Sequence, residues 1–380
     1  MNILFLNNKM TPHQRPLSEA FYRTLGDEYA FFECERITGK LPAGWSDDLA
    51  SAFVHRAYEM PKREVQERLD RADVVILGGV PAPFLQGLSL KGKLLVRYTE
   101  RPFKTEPRRF QYPLRYLKWH FLDPKGKADC LLAASAFAYR DYSRYGLFRG
   151  SAYRWGYFPA FLEHDADALM KGKDKTRLLW CGRFLDWKHP DDAIRLAARL
   201  DGDRIPFSLD MIGTGPMEAD LKRMVQDEGL RDKVRFLGEM KPEAVRRHME
   251  KAGVYLLTSD RREGWGVVLN ESMNAGCAVV ASHAVGSVPF LLDNGRNGCV
   301  YPSGDFDTLC RLARELLRDP ALQERLGLAA YQTIAREWNA ETAASRVIRL
   351  FERLLAGEKN VELFQTGPCS PAELIDDDDD

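Results

Sequence analysis

Residues 207–221 read FSLDMIGTGPMEADL, and the order of residue types in that stretch sets the architecture. An apolar run of strand length ends at Ile212, Gly213 and Gly215 break it, and a helical period follows. Strand, glycine turn and helix make the repeating unit of a parallel sheet, because parallel strands are joined by crossovers that cover the sheet with helices. The same alternation recurs along the chain. Candidate strands are 3–7, 74–78, 93–98 and 129–133, then 177–181, 207–212, 233–237, 254–257 and 278–281. They form two series separated by 156–175, where a proline break and a polar, charged run carry no strand pattern. The reading is α/β with two doubly wound domains, which suits 380 residues better than one core. Helical patterns at 305–318, 320–336 and 340–356 have no strand after them, so the last is expected to pack back across the domain junction. After Gly357 the composition turns acidic and turn-like, as in a frayed tail.

Lysine plus arginine and aspartate plus glutamate number 55 each, so no global field points to nucleic acid or to an acidic partner. The balance is local. Between Arg101 and Lys127 eight basic residues face only Glu106 and Asp123, while Asp376 to Asp380 form an acidic run. Seven cysteines show neither a Cys-x-x-Cys pair nor a partnered histidine, which argues against a zinc site or a secreted disulfide framework. With no basic leader and no stretch near eighteen apolar residues, a reducing cytoplasm is the expected setting.

Three motifs carry chemistry. In IGTGP the glycines let a backbone approach a ligand, although Glu218 stands where a dinucleotide fingerprint needs its third glycine. In CGRFLDWKHPDD (181–192), Arg183 and Lys188 sit in one loop after a strand; a forked guanidinium with a point ammonium suits a diphosphate. In RREGWGVVLNESMNAG (261–276), Glu263 and Glu271 lie eight positions apart, at most about 12 Å along a helix. That span fits a sugar, a diphosphate and a ribose. Glu263 would accept from sugar hydroxyls, amides around Gly264, Trp265, Gly266 and Val267 would face phosphates, and Glu271 would take two ribose hydroxyls.

Taken in order, GRFLDWK, IGTGP, VRFLGEMKPEAV, EGWGVVLNESMNAGCAVVAS and GSVPFLLDNGRNGCVYPSGD resemble the C-terminal domain of family 4 retaining glycosyltransferases of the GT-B fold, over about 177–320. The resemblance implies two Rossmann-like domains facing a cleft. Residues 1–160 would bind the acceptor and 176–338 the nucleotide sugar, with the 339–356 helix crossing back and 357–380 a flexible acidic tail. It implies that Gly182, Arg183, Lys188 and Gly213 meet the diphosphate, that Gly238 to Lys241, Met240 included, meet the base, and that Glu263 and Glu271 hold sugar and ribose. The acceptor hydroxyl attacks on the face the diphosphate leaves, so configuration is retained, and stabilising the leaving group carries most of the catalysis. No cofactor is required beyond the nucleoside-diphosphate sugar as donor.

The N-terminal half departs from that pattern. NNKMTPHQRPLSEAF (7–21) follows the first strand without a glycine, and RYTERPF (97–103) stands where a His-Asp pair is common. Glu100 is the candidate for the histidine's place, as a partner of sugar or acceptor. His13 and Arg15 are candidates for the acceptor side. Phe110, Leu114, Leu117 and Phe121 recur at helical spacing with Arg115 and Lys118 off the stripe, a pattern shared by core helices and by helices at a lipid surface. Two Asp-x-Asp strings, Asp305 with Asp307 and Asp165 with Asp167, imitate a metal motif, but Asp305 reads as a helix cap; no metal is expected. The expectation is a cytoplasmic, membrane-peripheral sugar transferase acting on a saccharide or lipid-linked acceptor in cell-surface polysaccharide synthesis, with no nucleic-acid partner. A sugar-nucleotide epimerase and a non-catalytic sugar-nucleotide-binding subunit are the alternatives.

Overall fold

The computed structural model describes residues 1–36, 51–105 and 111–375. The chain divides into two compact units, one comprising Met1–Ala160 with the described chain from Asn339 onward, the other Phe161–Trp338. Phe110, Arg108, Arg109, Glu106 and the run from Asp376 to Asp380 lie outside the described residues.

The first unit is built on seven parallel strands, β1 (Ile3–Asn7), β2 (Tyr29–Glu33), β3 (Val54–Arg56), β4 (Val74–Leu77), β5 (Leu94–Thr99), β6 (Cys130–Ala133) and β7 (Ala152–Arg154), in the order β3-β2-β1-β4-β5-β6-β7. β1 is central, with Phe5 opposite Phe31 on one side and Ile76 on the other. Helices α1 (Arg15–Leu25), α2 (Lys62–Arg71), α3 (Ala82–Leu85), α4 (Gln111–Leu117) and α5 (Ala138–Ser143) connect the strands, and α4 runs into a π-helical turn at Lys118–Leu122.

In the second unit six parallel strands, β8 (Asp174–Cys181), β9 (Ser208–Ile212), β10 (Val234–Gly238), β11 (Ala252–Leu257), β12 (Ala278–Ser282) and β13 (Cys299–Tyr301), take the order β10-β9-β8-β11-β12-β13. Its helices are α6 (Ala166–Lys171), α7 (Pro190–Gly202), α8 (Glu218–Asp227), α9 (Pro242–Lys251), α10 (Val268–Asn274), α11 (Val288–Leu291), α12 (Phe306–Arg318) and α13 (Pro320–Arg336). Proline at the first position of α7, α9 and α13 pre-sets the helical φ where no amide donor is needed. Asp305 caps α12 through the Thr308 amide at 3.0 Å, and Asp165 caps α6 through the amides of Asp167 and Ala168, so both Asp-x-Asp strings begin helices. Leu178, Trp180, Leu209, Val254 and Val280 from the strands and Ile194, Leu221 and Leu309 from the helices share one core. Each such side chain contributes about 1.5–3 kcal/mol when fully buried.

α14 (Ala340–Leu355) belongs to the first unit, where it buries Ala343, Val347 and Phe351 and packs along α1. Both sheets reverse strand order beside their first strand, between β1 and β4 and between β8 and β11. Crevices beyond the carboxyl ends of the strands at such points are where open α/β sheets bind ligands.

Three expectations need correction. The nine strands expected from sequence are present, but β2, β3, β7 and β13 join them; three of the four have three residues, too few to show a period, and β3 and β13 lie at sheet edges. The 156–175 stretch is not patternless, since it holds α6 and the start of β8. The tail is not frayed up to residue 375. Along the β7 edge Cys369 N donates to Arg154 O and Arg154 N to Ser370 O, both at 2.8 Å, Ala372 donates to Ala152 at 2.9 Å, and Val361, Cys369 and Ser370 are buried. Backbone pairing with a distant edge strand leaves no trace in local composition.

Candidate functional site

Loops beyond β8, β9 and β10 are stitched together by backbone alone. Gly182 donates to Ile212 and Gly213 to Gly238, at 3.0 and 2.8 Å. A side chain at Gly213 is impossible here: its φ is +127°, and a Cβ would stand 1.9 Å from the Gly182 carbonyl oxygen. Gly215 is held as tightly, with a Cβ 2.5 Å from the Phe184 carbonyl oxygen. The glycines of IGTGP therefore bring three strand ends into contact.

On this platform the loop after β8 meets the loop after β11. The Thr258 hydroxyl donates to the carbonyls of Lys188 and His189 and accepts from Trp180 Nε1 at 2.9 Å, which fixes the backbone at the head of α7. Asp260 N donates to Trp187 O at 2.9 Å, and Arg262 bridges Asp260 and Asp186. Held this way, Lys188 Nζ forms an ion pair with Glu263 Oε2, each side chain only 14% exposed, and Ser259 donates to the same oxygen at 3.3 Å. Lys188 also lies over the Trp187 ring, 4.6 Å from its centre. Gly266, at φ +80°, lets the chain turn against Glu263; a Cβ there would meet Val285 at 2.9 Å and Glu263 at 3.3 Å. Arg183 stands exposed, with no ion-pair partner among the described residues.

Glu271 lies on α10, whose start follows Val267. Burial raises its carboxyl above the ordinary glutamate value, and Arg246 at 3.6 Å works against that rise. Arg246 is itself anchored to Asn274 Oδ1 at 2.9 Å. The Tyr255 hydroxyl donates to the Cys181 carbonyl at 3.2 Å, tying β11 to the end of β8 next to Glu271.

The structure thus brings Lys188 and Glu263 into contact, with Arg183 exposed in the loop that carries Lys188. It separates others. The Trp265 side chain points away into a buried aromatic cluster with Phe290 and Trp338, its Nε1 donating to Asn270 at 2.9 Å, so only its backbone is available to a ligand. Gly264 is buried as well. Met240 lines a cavity of about 650 Å³ with Lys241, Arg247 and His248, and none of Arg183, Lys188, Glu263 or Glu271 borders it. Among the described residues no cluster of three His, Cys, Asp or Glu has the geometry to hold a metal. Thr258 and Arg246 were invisible to motif reading, because each acts through a partner far away in sequence, and Ser259, four residues before Glu263, lies just outside the motif.

Glu100 belongs to a crevice in the first unit, of about 470 Å³, bordered by Asn7, Asn8, His13, Arg97, Lys125 and Tyr157 among others. Tyr157 donates to Glu100 at 2.9 Å and Lys104 lies 3.7 Å away. The glycines missing after β1 are supplied after β4: Gly79 N donates to Asn7 Oδ1 at 2.5 Å, and the Asn7 amide donates to Gln14 at 2.8 Å and to Lys9 O at 3.2 Å. His13 borders the crevice; Arg15 instead donates to Ser51 at 2.7 Å and does not border it. A buried Arg101–Asp141 ion pair holds the chain that follows Glu100, with Phe103 N donating to the same carboxylate.

Comparison with known proteins gives a sequence likeness for the second unit and a fold for the chain. Residues 163–333, most of the second unit, match the family model for glycosyl transferases group 1. The chain is 30% identical over 183 residues to the amylovoran biosynthesis glycosyltransferase AmsK of Erwinia amylovora, covering 47% of this chain and 45% of that protein. It is 27% identical over 177 residues to the lipopolysaccharide core biosynthesis glycosyltransferase LpsE of Rhizobium meliloti, covering 47% and 50%. The chain spans about half the length of these curated relatives. Its backbone superposes on Anabaena HepE, solved in complex with UDP, with a TM-score of 0.67 and 17% identity over 93% of this chain and 100% of that one. For the sucrose-phosphate synthase of Thermosynechococcus elongatus the TM-score is 0.62, with 19% identity over 94% and 100%. The fold is GT-B, with two Rossmann-like parallel sheets, and the second unit is similar in sequence to group 1 glycosyltransferases.

Proposed function

We propose that this protein is a retaining glycosyltransferase of the family 4 type, which moves a sugar from a nucleoside diphosphate to an acceptor hydroxyl on a saccharide or lipid-linked saccharide. The observation that carries the reading is the Lys188–Glu263 pair, with exposed Arg183 in the loop that carries Lys188, on a glycine platform at the carboxyl end of a parallel sheet. A donor offers each member a better partner. Its diphosphate takes Lys188 and Arg183, and its sugar hydroxyls donate to Glu263, so the ion pair opens as the ligand is bound. Glu271 accepts from the ribose hydroxyls. As the glycosidic bond lengthens, negative charge grows on the leaving diphosphate, where the two cations stabilise it. The acceptor attacks on that same face, so the departing phosphate receives its proton.

The cationic work is assigned to Arg183 and Lys188 rather than to a divalent ion, because both Asp-x-Asp strings are occupied as helix caps. Turnover is expected to survive EDTA; loss that manganese restores would refute this. Saccharide synthesis as the setting is supported by the names of AmsK and LpsE, and a uridine nucleotide by HepE. The deciding experiment is a thermal-shift screen of nucleoside diphosphates followed by donor turnover in Arg183→Ala and Glu263→Ala. Near-normal rates in both would refute the assignment. Donor epimerisation without acceptor, seen as solvent proton exchange into the sugar, would favour the epimerase instead.

Peripheral contact with a lipid surface is part of the proposal. Leu114 and Phe121 are each 65% exposed and Leu117 51%, on α4 and the turn that follows, next to Lys118. Among the described residues no helix is long and apolar enough to cross a membrane.

A further inference from the structure

The crevice of the first unit carries positive charge that the fold leaves unmatched. Arg97 stands on β5 opposite Leu131 of β6, and its Nη2 donates to the Tyr142 hydroxyl at 3.3 Å. Its Nε and Nη1 are buried and have no hydrogen-bond partner among the described residues. A buried guanidinium nitrogen without an acceptor is costly, and the fold retains two of them at the rim of a cavity. Lys125 borders the same cavity, and its ammonium forms no hydrogen bond or ion pair among the described residues. The adjacent Asp123 carboxylate is engaged by the backbone amide of Lys125 itself. Burial and then the like charge of Arg97 make the Lys125 ammonium easier to deprotonate than usual. Glu100, the acid of the crevice, is already held by Tyr157 and Lys104.

Two cations that repel each other across a cavity of about 470 Å³ form a site waiting for an anion. Both are in the same unit as Asn8, His13 and Glu100, which supply hydrogen-bonding groups for a hydroxylated ring. The volume suits a monosaccharide-sized ligand. Arg97 keeps two unpartnered donors, Nε and Nη1, on different edges of its guanidinium, each able to donate to one oxygen of a carboxylate or a phosphate. Resting on the reading that the first unit binds the acceptor, we propose that the acceptor is an acidic sugar, a uronate or a sugar phosphate, whose anionic group sits between Arg97 and Lys125 and whose hydroxyl-bearing ring lies toward Glu100 and Tyr157.

The test uses the full chain in thermal melts at constant ionic strength, with glucuronate, glucose 6-phosphate and neutral glucose as probes. Either charged sugar is expected to raise the Tm by about 2–4 °C at saturation while glucose does not. Which of the two is stronger tells a carboxylate from a phosphate. Arg97→Gln and Lys125→Gln are expected to abolish the shift, Arg97→Lys to restore part of it, and Arg183→Gln to leave it intact. If Arg97→Gln does not fold, Lys125→Gln alone decides, since that side chain makes no bond the fold depends on. Equal shifts for glucose and the charged sugars, no shift at all, or a shift lost only in Arg183→Gln overturns the proposal. A nucleoside diphosphate melted with the same preparation reads the donor assignment separately, so failure of one is not failure of the other.

Discussion

The two units share a strand order and differ in what they place at the reversal point. In the second unit the crevice rests on backbone, with Gly213 set so closely against the Gly182 carbonyl that no side chain fits there and with its amide donating to Gly238 O. In the first unit the corresponding place is made of side chains, with Asn7 reaching Gly79, Gln14 and Lys9, and Arg97 and Lys125 at the rim. A diphosphate is nearly the same in every donor, and a backbone platform with two cations is enough to hold it. Acceptors differ, and side chains can be exchanged without rebuilding the turn. On the proposed function, one topology would serve a constant ligand with main chain and a variable one with side chains.

The sharpest way to break this comparison is to add one methyl group to each platform. Gly213→Ala is expected to cost about 4 kcal/mol or more, because the backbone carbonyl of Gly182 and a positive φ both oppose it. Gly78→Ala meets side chains rather than backbone, Asn7 Oδ1 at 2.7 Å and the Phe5 ring at 3.1 Å, and is expected to cost about 1–2 kcal/mol. Urea unfolding of the two variants measures the difference; equal losses would mean that the platforms are not built differently.

Next in size is turnover. Glu263→Ala and Arg183→Ala are each expected to lower it about 100- to 1000-fold, Arg183→Ala with an unchanged melting temperature and Glu263→Ala with a lowered one because Lys188 loses its partner. Arg15→Ala, whose side chain is turned to Ser51, is expected to leave turnover within about twofold. A large loss in Arg15→Ala would move the acceptor site toward α1.

A smaller effect depends on pH. Burial raises the Glu271 carboxyl above its unfolded value of about 4.3. The folded chain therefore keeps this proton longer than the unfolded one, and stability is lost as pH rises from the unfolded value through the folded one. Glu271→Gln removes that loss, so its melting temperature relative to the natural chain is expected to climb between pH 4 and pH 7 while nucleotide affinity falls. A flat difference across the series would refute the burial argument. Smallest in stability is Leu117→Glu, expected within about 0.5 kcal/mol at an exposed site. It should nevertheless abolish flotation with anionic liposomes at low salt; flotation that persists would remove α4 from any lipid contact.

Interior parallel strands were legible because their buried stretches are short apolar runs, VVIL in β4, LLW in β8, VYLL in β11 and AVVA in β12. Short strands such as β3 and β13 carry no period to read. At the candidate site Arg183, Lys188, Glu263 and Glu271 stood out through their motifs, and so did the glycines at 213 and 215. Arg246, Thr258 and the Gly78–Gly79 pair did not, because Arg246 means nothing until α9 is laid beside α10, and Gly79 nothing until β4 lies beside β1. Trp265 shows the reverse error: its motif drew attention to a side chain that the fold spends on the core.

The amino-acid order alone determined the alternation of strands and helices, the glycines that the tightest turn cannot do without, and the residue types suited to gripping a diphosphate. Those properties depend on neighbours within a few positions. Only the tertiary structure decided that Lys188 pairs with Glu263, that the chain beyond Gly357 closes the β7 edge, and that Arg97 and Lys125 border one crevice. Such pairings join residues tens of positions apart, and their energies exist only once the path of the chain has brought the groups within a few ångströms.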